Sequence, residues 1–308
     1  MTTLDAVIVR EVGLRDGLQS IARTVPTPHK IQWLQAAYAA GLREIEVGSF
    51  VPARLLPQLA DTAAVVEAAR ALPDLVTSVL VPNLKGAQAA LDARADLMLL
   101  PISASHAHSL ANLRKTPDEV VAEIGRIRAL RDASGSPCLL EVGFSTAFGC
   151  TLQGRVDENE VLRLVQAVLD AGADRVGLAD TVGYADPLHV ARLFERCFAV
   201  AGDALACGHF HDTRGLGLAN VYAAWQAGVR RFDACIGGIG GCPHAPGASG
   251  NVATEDVAYL FASMGVPTGL AFDALMALRG CMGQWLEGEP LHGSIWRAGL
   301  PKTMGEPA

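Results

Sequence analysis

The sequence predicts an α/β fold, a (β/α)8 TIM-type barrel with a short C-terminal helical extension, on three observations. Short apolar runs recur eight times along the chain. Amphipathic helical patterns fill intervals between them. The alternation occupies roughly 260 residues, the size of one such barrel. An open, doubly wound sheet competes for any alternating chain, and a count of eight favours the barrel because it allows closure. The expected organisation is a barrel over residues 1–265 and a helical extension over 266–308 that packs on it or covers its mouth.

Taken in order, the runs are AVIVRE (6–11), REIEVGS (43–49), LVTSVLVP (75–82) and ADLMLLPIS (95–103). CLLEVGFST (138–146), ADRVGLAD (173–180), ALACGHFH (204–211) and RRFDACIG (230–237) follow. Bounded by Gly, Pro and Asp, such runs read as strands buried on both faces of a parallel sheet. Between the fourth and fifth, TPDEVVAEIGRIRAL starts a helix with Thr116 as cap, Pro117 at the first helical position and Glu119 following. Between the fifth and sixth, Val161, Leu164, Val165, Val168 and Leu169 mark one helical face. Asp157 caps that helix, Glu160 sits in its first turn and Gly172 ends it. FDALMALRGCMGQWLEG carries a further helix in the tail.

Composition removes several classes of function. A chain of 308 residues, half hydrophobic, can bury one large core or two small ones. A net charge of −7 and a pI near 5.6 argue against nucleic-acid and anionic-membrane surfaces. No apolar run reaches the roughly 18–20 residues that span a bilayer, and MTTLDAVIVREVG lacks the regions of a signal peptide. Seven cysteines (138, 150, 197, 207, 235, 242 and 281) show no CxxC spacing. An odd, scattered set points to free thiols in a reducing cytosol, most of them small core residues.

The segment GHFHDT at 208–213 places His209 and His211 two residues apart. On a strand, such side chains share one face. Alone, the pair is better read as a surface feature, but other hard donors fall at strand ends too and reverse that balance. RDG (15–17) follows the first strand, Glu46 and Ser49 close the second, and Asn251 closes the glycine-rich loop after the eighth. Strands seven, eight and one are neighbours in a closed barrel, so Asp16, His209, His211 and Asn251 can converge. Two imidazoles, a carboxylate and an amide carbonyl suit Mg2+ or Mn2+, and zinc stays open on ligand type. The plainer roles are a turn cap for Asp16 and a cap for Asn251 on a helix at 254–264. The glycines at 237–240 are too short a pattern, and too late in the chain, for a dinucleotide fingerprint.

At EVGLRDGLQ (11–19), IEVGSFVPARLLPQLAD (45–61), VPNLKG (81–86), GHFHDTRGLGLAN (208–220) and GGIGGCPHAPGASGNVATEDVAYL (237–260), the chain resembles the 3-hydroxy-3-methylglutaryl-CoA lyase family. These are metal-dependent TIM-barrel lyases. The resemblance implies metal ligation by Asp16, His209, His211 and Asn251, and catalytic roles for Arg15, Glu46, His209 and Cys242. It implies retro-Claisen cleavage of 3-hydroxy-3-methylglutaryl-CoA, or a close analogue, to acetyl-CoA and a 3-oxo acid. Relatives of this kind often form dimers or larger assemblies. Rival readings are a lyase for a longer-chain or citramalyl-CoA-like ester, a Claisen-type synthase, and a CoA-binding barrel without turnover. The Cys242 loop and the absence of residues for a regulatory C-terminal domain disfavour the synthase.

Three departures concern the acyl pocket. Ser20, Ile21 and Ala22 replace the acidic–Lys pair common after RDGLQ, and Arg23 is out of register to stand in for the lysine. Gly177 stands where a Ser or similar residue often occurs, and His108 resembles the serine–histidine motif of the synthases. For the CoA phosphates of the acyl-CoA substrate, Lys85 is the first candidate, with Arg54 and Lys115 behind it.

Overall fold

Eight parallel strands pair in chain order, and β8 pairs back with β1 to close the barrel in this computed structural model, which describes residues 5–241 and 250–302. The strands are β1 (Ile8–Glu11), β2 (Glu44–Ser49), β3 (Val76–Leu80), β4 (Leu97–Ser103), β5 (Leu139–Ser145), β6 (Arg175–Asp180), β7 (Leu205–Phe210) and β8 (Arg231–Ala234). Each lies inside one of the eight apolar runs. The largest difference is at β8, which stops at Ala234 rather than at residue 237. Ile236–Gly238 form a 3-10 turn in which Gly237 and Gly238 have φ of 73° and 60°, a backbone no strand can continue.

The surrounding helices are α1 (Thr27–Ala39), α2 (Thr62–Ala69), α3 (Leu84–Asp92), α4 (His106–Leu113), α5 (Pro117–Ser134) and α6 (Glu158–Asp170). They continue as α7 (Pro187–Ala201), α8 (Gly217–Gln226), α9 (Thr254–Ser263), α10 (Phe272–Trp285) and α11 (Ser294–Ala298). Their starts follow local chemistry. Before α5, the Thr116 hydroxyl accepts from the Glu119 N–H (3.2 Å) while the Glu119 carboxylate accepts from the Thr116 N–H (2.7 Å). The Asp157 carboxylate accepts from Asn159 N–H (2.9 Å) to cap α6, whose Val161, Leu164, Val165 and Val168 are buried.

Leu34, Val66, Ile124, Leu164, Phe194 and Phe261 are fully buried helix residues of the apolar core. Inside the barrel the character changes: Arg10, Glu46, Glu141 and Asp233 are buried there on strands. Charges in that interior are expensive unless paired, so their presence marks a site rather than a filled core. After the last strand, α10 buries Leu275, Leu278 and Met282 and packs against α1. The Arg23 guanidinium donates to the Trp285 and Glu287 carbonyls (3.3 and 2.9 Å), so it holds the tail and not the site. No helix among the described residues is long and apolar enough to cross a membrane.

Candidate functional site

A cavity of about 600 Å3 opens at the C-terminal ends of the strands. β1 runs into a single π-helical turn, Gly13–Gly17, which sets Arg15 and Asp16 at its edge. The Arg15 guanidinium pairs through Nε with Glu46 Oε1 (2.8 Å) and donates through Nη1 to Asp16 Oδ1 (2.6 Å). Glu46 lies buried on β2. Burial pushes its carboxyl up to about 7, against the pull of Arg15 and Arg10.

On β7, close to Asp16, His209 sets Nδ1 against Asp233 Oδ2 (3.0 Å). Asp233 is held in turn by Arg10, whose Nε and Nη2 donate to it at 2.7 and 3.2 Å. The Arg10 Nη2 also donates to Glu141 Oε1 (2.8 Å). His211 lies one step past β7 and forms an isolated antiparallel bridge with Asn251, which draws the segment after the glycine-rich loop onto the histidines. The Asn251 amide donates to Asp16 Oδ2 (2.7 Å) and to the Ile239 carbonyl (3.1 Å). At Gly240 a Cβ would stand 2.5 Å from that amide nitrogen and 3.1 Å from Asp16, with φ at 109°, so only glycine permits this approach.

Asp16, His209 and His211 present ligand atoms that all lie within 4.8 Å of one another. The two Nε2 atoms are 3.1 Å apart, and Asn251 Oδ1 is buried with no hydrogen-bond partner among the described residues. Charge states agree with cation binding. Burial alone would raise Asp16, but Arg15, His209 and His211 outweigh it and hold the carboxyl at about 2. Burial, followed by the His209 charge, lowers His211 to about 4 and leaves a neutral imidazole donor. Burial opposes charge on His209 as well, but the Asp233 carboxylate on Nδ1 raises its pKa. That bond fixes the ring and leaves Nε2 for a ligand, the usual carboxylate–histidine–metal arrangement. Two nitrogens, a carboxylate and an orphaned amide oxygen fit a divalent cation.

The remaining candidates divide. Asn251 does not cap α9, whose N-cap is Ala253, and the Asp16 carboxylate is taken up by Arg15 and Asn251. Arg54 and Lys115 line the cavity, Lys115 also pairing with Glu123 at 3.3 Å. Lys85 is exposed at the start of α3 and does not line it. Ser49 stays in β2, its hydroxyl accepting from the Val51 N–H (3.2 Å). His108 and Gly177 both line the same cavity as the metal cluster. Cys242 lies outside the described residues; Gly241 beside it lines the cavity. At the turn after β8 the Ile236 and Gly237 N–H groups donate to Glu11 and Glu255, each at 3.1 Å.

Sequence reasoning overlooked Asp233, Arg10 and Glu141. Their signal was a charge inside an apolar strand run, in AVIVRE, CLLEVGFST and RRFDACIG.

Fold and site together define a (β/α)8 barrel with a candidate nitrogen/oxygen metal site at its C-terminal mouth. The HMGL-like family model matches residues 6–281, and the chain belongs to that family. An (R)-citramalyl-CoA lyase from Chloroflexus aurantiacus is 37% identical over 306 residues, covering 96% of each chain. The hydroxymethylglutaryl-CoA lyase of Pseudomonas mevalonii is 36% identical over 272 residues, 88% of this chain and 90% of its own. Among solved structures, an HMG-CoA lyase from Acinetobacter baumannii in complex with coenzyme A and 3-methylmalate superposes with a TM-score of 0.91. It is 39% identical and covers 97% of both chains.

Proposed function

We propose that the protein is a divalent-metal-dependent carbon–carbon lyase that cleaves 3-hydroxy-3-methylglutaryl-CoA, or a close analogue, to acetyl-CoA and a 3-oxo acid such as acetoacetate. The observation that carries this reading is the convergence of Asp16, His209 and His211 beside the Arg15–Glu46 pair at the mouth of one cavity. In this reading residues 1–265 are the catalytic barrel and 266–308 an extension packed on it.

Asp16, His209, His211 and Asn251 would hold Mg2+ or Mn2+, which when bound acidifies the substrate C3 hydroxyl. The proton that leaves this hydroxyl would pass to water in the cavity, and His209, held by Asp233 through Nδ1, serves this step by orienting the cation and that water. As the C2–C3 bond breaks, its electrons move onto the thioester as an enolate. Arg15, fixed by Glu46, supplies positive charge to the enolate oxygen. Cys242 returns a proton to C2, completing acetyl-CoA. Arg54 and Lys115 serve the CoA phosphates, with Lys85 a more distant contributor. Five buried free cysteines support a reducing, cytosolic setting. Assembly into dimers or larger oligomers rests on the resemblance to the family.

A second reading, cleavage of a citramalyl-CoA-like ester to acetyl-CoA and pyruvate, is favoured by the 37% identical relative that spans 96% of both chains. The metal-loaded protein should be incubated in parallel with the two thioesters. Acetyl-CoA with acetoacetate, abolished by chelation and by Cys242→Ala, is the expected result. Pyruvate alone would replace the first reading with the second. Release of neither, from protein that holds stoichiometric metal, would overturn both.

A further inference from the structure

The C-terminal extension is bonded to the surroundings of the candidate metal site as well as to the barrel wall. Beyond α10, residues 291–295 cross the turn that leaves β8 and reach the start of α9. The His292 N–H donates to the Gly237 carbonyl (2.7 Å). The Asp256 carboxylate, in the first turn of α9, accepts from the Ser294 and Ile295 N–H groups (2.8 and 2.9 Å). Arg279 of α10, only 4% exposed, donates to the His292 carbonyl (3.5 Å). Its Nε also stands 3.4 Å from Glu255, which accepts from the Gly237 N–H. This strap therefore clasps both flanks of Asn251: the turn at 236–238 that leads to Ile239, and the helix that starts at Thr254.

Resting on the metal site of the lyase reading above, we infer that the strap at 291–295, acting through Asp256 and the Gly237 turn, is a positioning element that presets Asn251 for the cation. The Asn251 side chain depends on both flanks. Its amide nitrogen donates to the Ile239 carbonyl (3.1 Å) and to Asp16 (2.7 Å), which sets the direction of the amide oxygen. A Cβ on Gly238 would stand 3.1 Å from the Asn251 backbone carbonyl and 3.2 Å from His292 Cβ, so strap, turn and Asn251 form one close stack. On its outer side Asn251 borders a cavity of about 280 Å3 shared with Asp256, His292 and Ser294, so packing does not confine it there. A neutral amide oxygen brings no net charge to a cation, and its contribution depends on being held in place beforehand. Asp256 is the positioning residue of this strap.

The test is the affinity of the protein for Mn2+, measured by competition with a calibrated chelator, beside urea unfolding of the same samples. Asp256→Ala frees the strap and should weaken Mn2+ binding by about tenfold, the low end for a residue that acts on a ligand from outside the metal's own shell. Asp256→Asn should restore binding to within about twofold of wild type, because Oδ1 alone accepts from both the Ser294 and Ile295 N–H groups (3.0 and 2.9 Å). Gly293→Ala would set a Cβ 2.9 Å from Glu255 Oε1 at a φ of 115°. It should weaken binding in the same direction, and it decides the question if Asp256→Ala fails to fold. Met282→Ala, which hollows the buried face of α10 without touching the strap, should lower the urea midpoint and leave Mn2+ affinity at the wild-type level. Wild-type affinity in the folded strap variants, or an equal loss in Met282→Ala, overturns the positioning role. Thioester cleavage by the wild-type protein tests the other reading separately. The expected affinity pattern without cleavage removes the lyase and keeps the strap, whereas cleavage with an affinity indifferent to the strap does the reverse.

Discussion

The arc of the barrel formed by β7, β8 and β1 differs from the arc formed by β4, β5 and β6, although both face the same cavity. On the first, His209 pairs in register with Asp233, and Asp233 with Arg10, so three neighbouring strands place charge against charge. On the second, Pro101, Gly143 and Gly177 stand side by side and offer space. The charged arc is over-determined: each of its side chains has at least one partner that fixes it. At Gly143 and Gly177 the second arc is bounded by backbone, with Leu99 of β4 and Glu141 of β5 the larger side chains that line the cavity beside them. A rigid, paired arc suits chemistry that needs fixed positions, and an open one leaves room beside it.

The comparison breaks most visibly if the charged arc loses its cation. Asp16→Ala removes the one carboxylate of the cluster, and thioester cleavage should fall on the order of 10^3-fold or more, since a bound divalent ion supplies several kcal/mol of transition-state stabilisation. Atomic absorption on the purified variant should find substoichiometric metal. A variant that retains both metal and activity would remove Asp16 from the site. Arg15→Met comes next, with a loss in kcat of about 10^2–10^3-fold, the cost of one missing donor to a developing oxyanion. Its metal content should stay at the wild-type level, and that contrast separates charge stabilisation from ligation.

Asp233→Asn sharpens the comparison from behind the metal. The variant keeps the shape but loses the charge that orients the His209 ring and is itself held by Arg10. Metal affinity should weaken by about 10–100-fold, measured by competition with a calibrated chelator. Unchanged affinity would mean that the ring is fixed by packing alone.

How much of this was legible in the sequence follows the same division. The eight strands show in the apolar runs because a strand buried on both faces is apolar at most of its positions. Asp16, His209, His211 and Asn251 could be grouped because closure makes the ends of β7, β8 and β1 neighbours. The antiparallel bridge between His211 and Asn251 was not legible, since it depends on the path of a loop. Nor was Asp233: a lone acid in RRFDACIG looks like a strand-end residue until its partner on β7 is placed beside it. The open arc was hardest, because Gly143 and Gly177 are 34 positions apart and meaningful only through the register that joins them.

The smallest expected effect concerns the foundation under the glycine-rich loop rather than either arc. Glu11 and Glu255 are buried carboxyls that accept from the N–H groups of Ile236 and Gly237, where the chain leaves β8. Burial pushes both up to about 7, against the hydrogen bonds that favour their charged forms. A carboxyl raised in the folded state contributes stability that is fully present below its ordinary pKa and is lost as pH rises through the folded value. The window therefore runs from about 4.5 to about 7. Urea unfolding should show the protein losing on the order of 1 kcal/mol per glutamate between about pH 6 and about pH 8. Glu11→Gln, which cannot ionise, should flatten its share of that slope while leaving the Glu255 share in place. A slope unchanged in the variant would show that Glu11 is charged throughout the window, held by its bonds to Thr254 and Gly13 (2.6 and 3.0 Å) more firmly than burial opposes them.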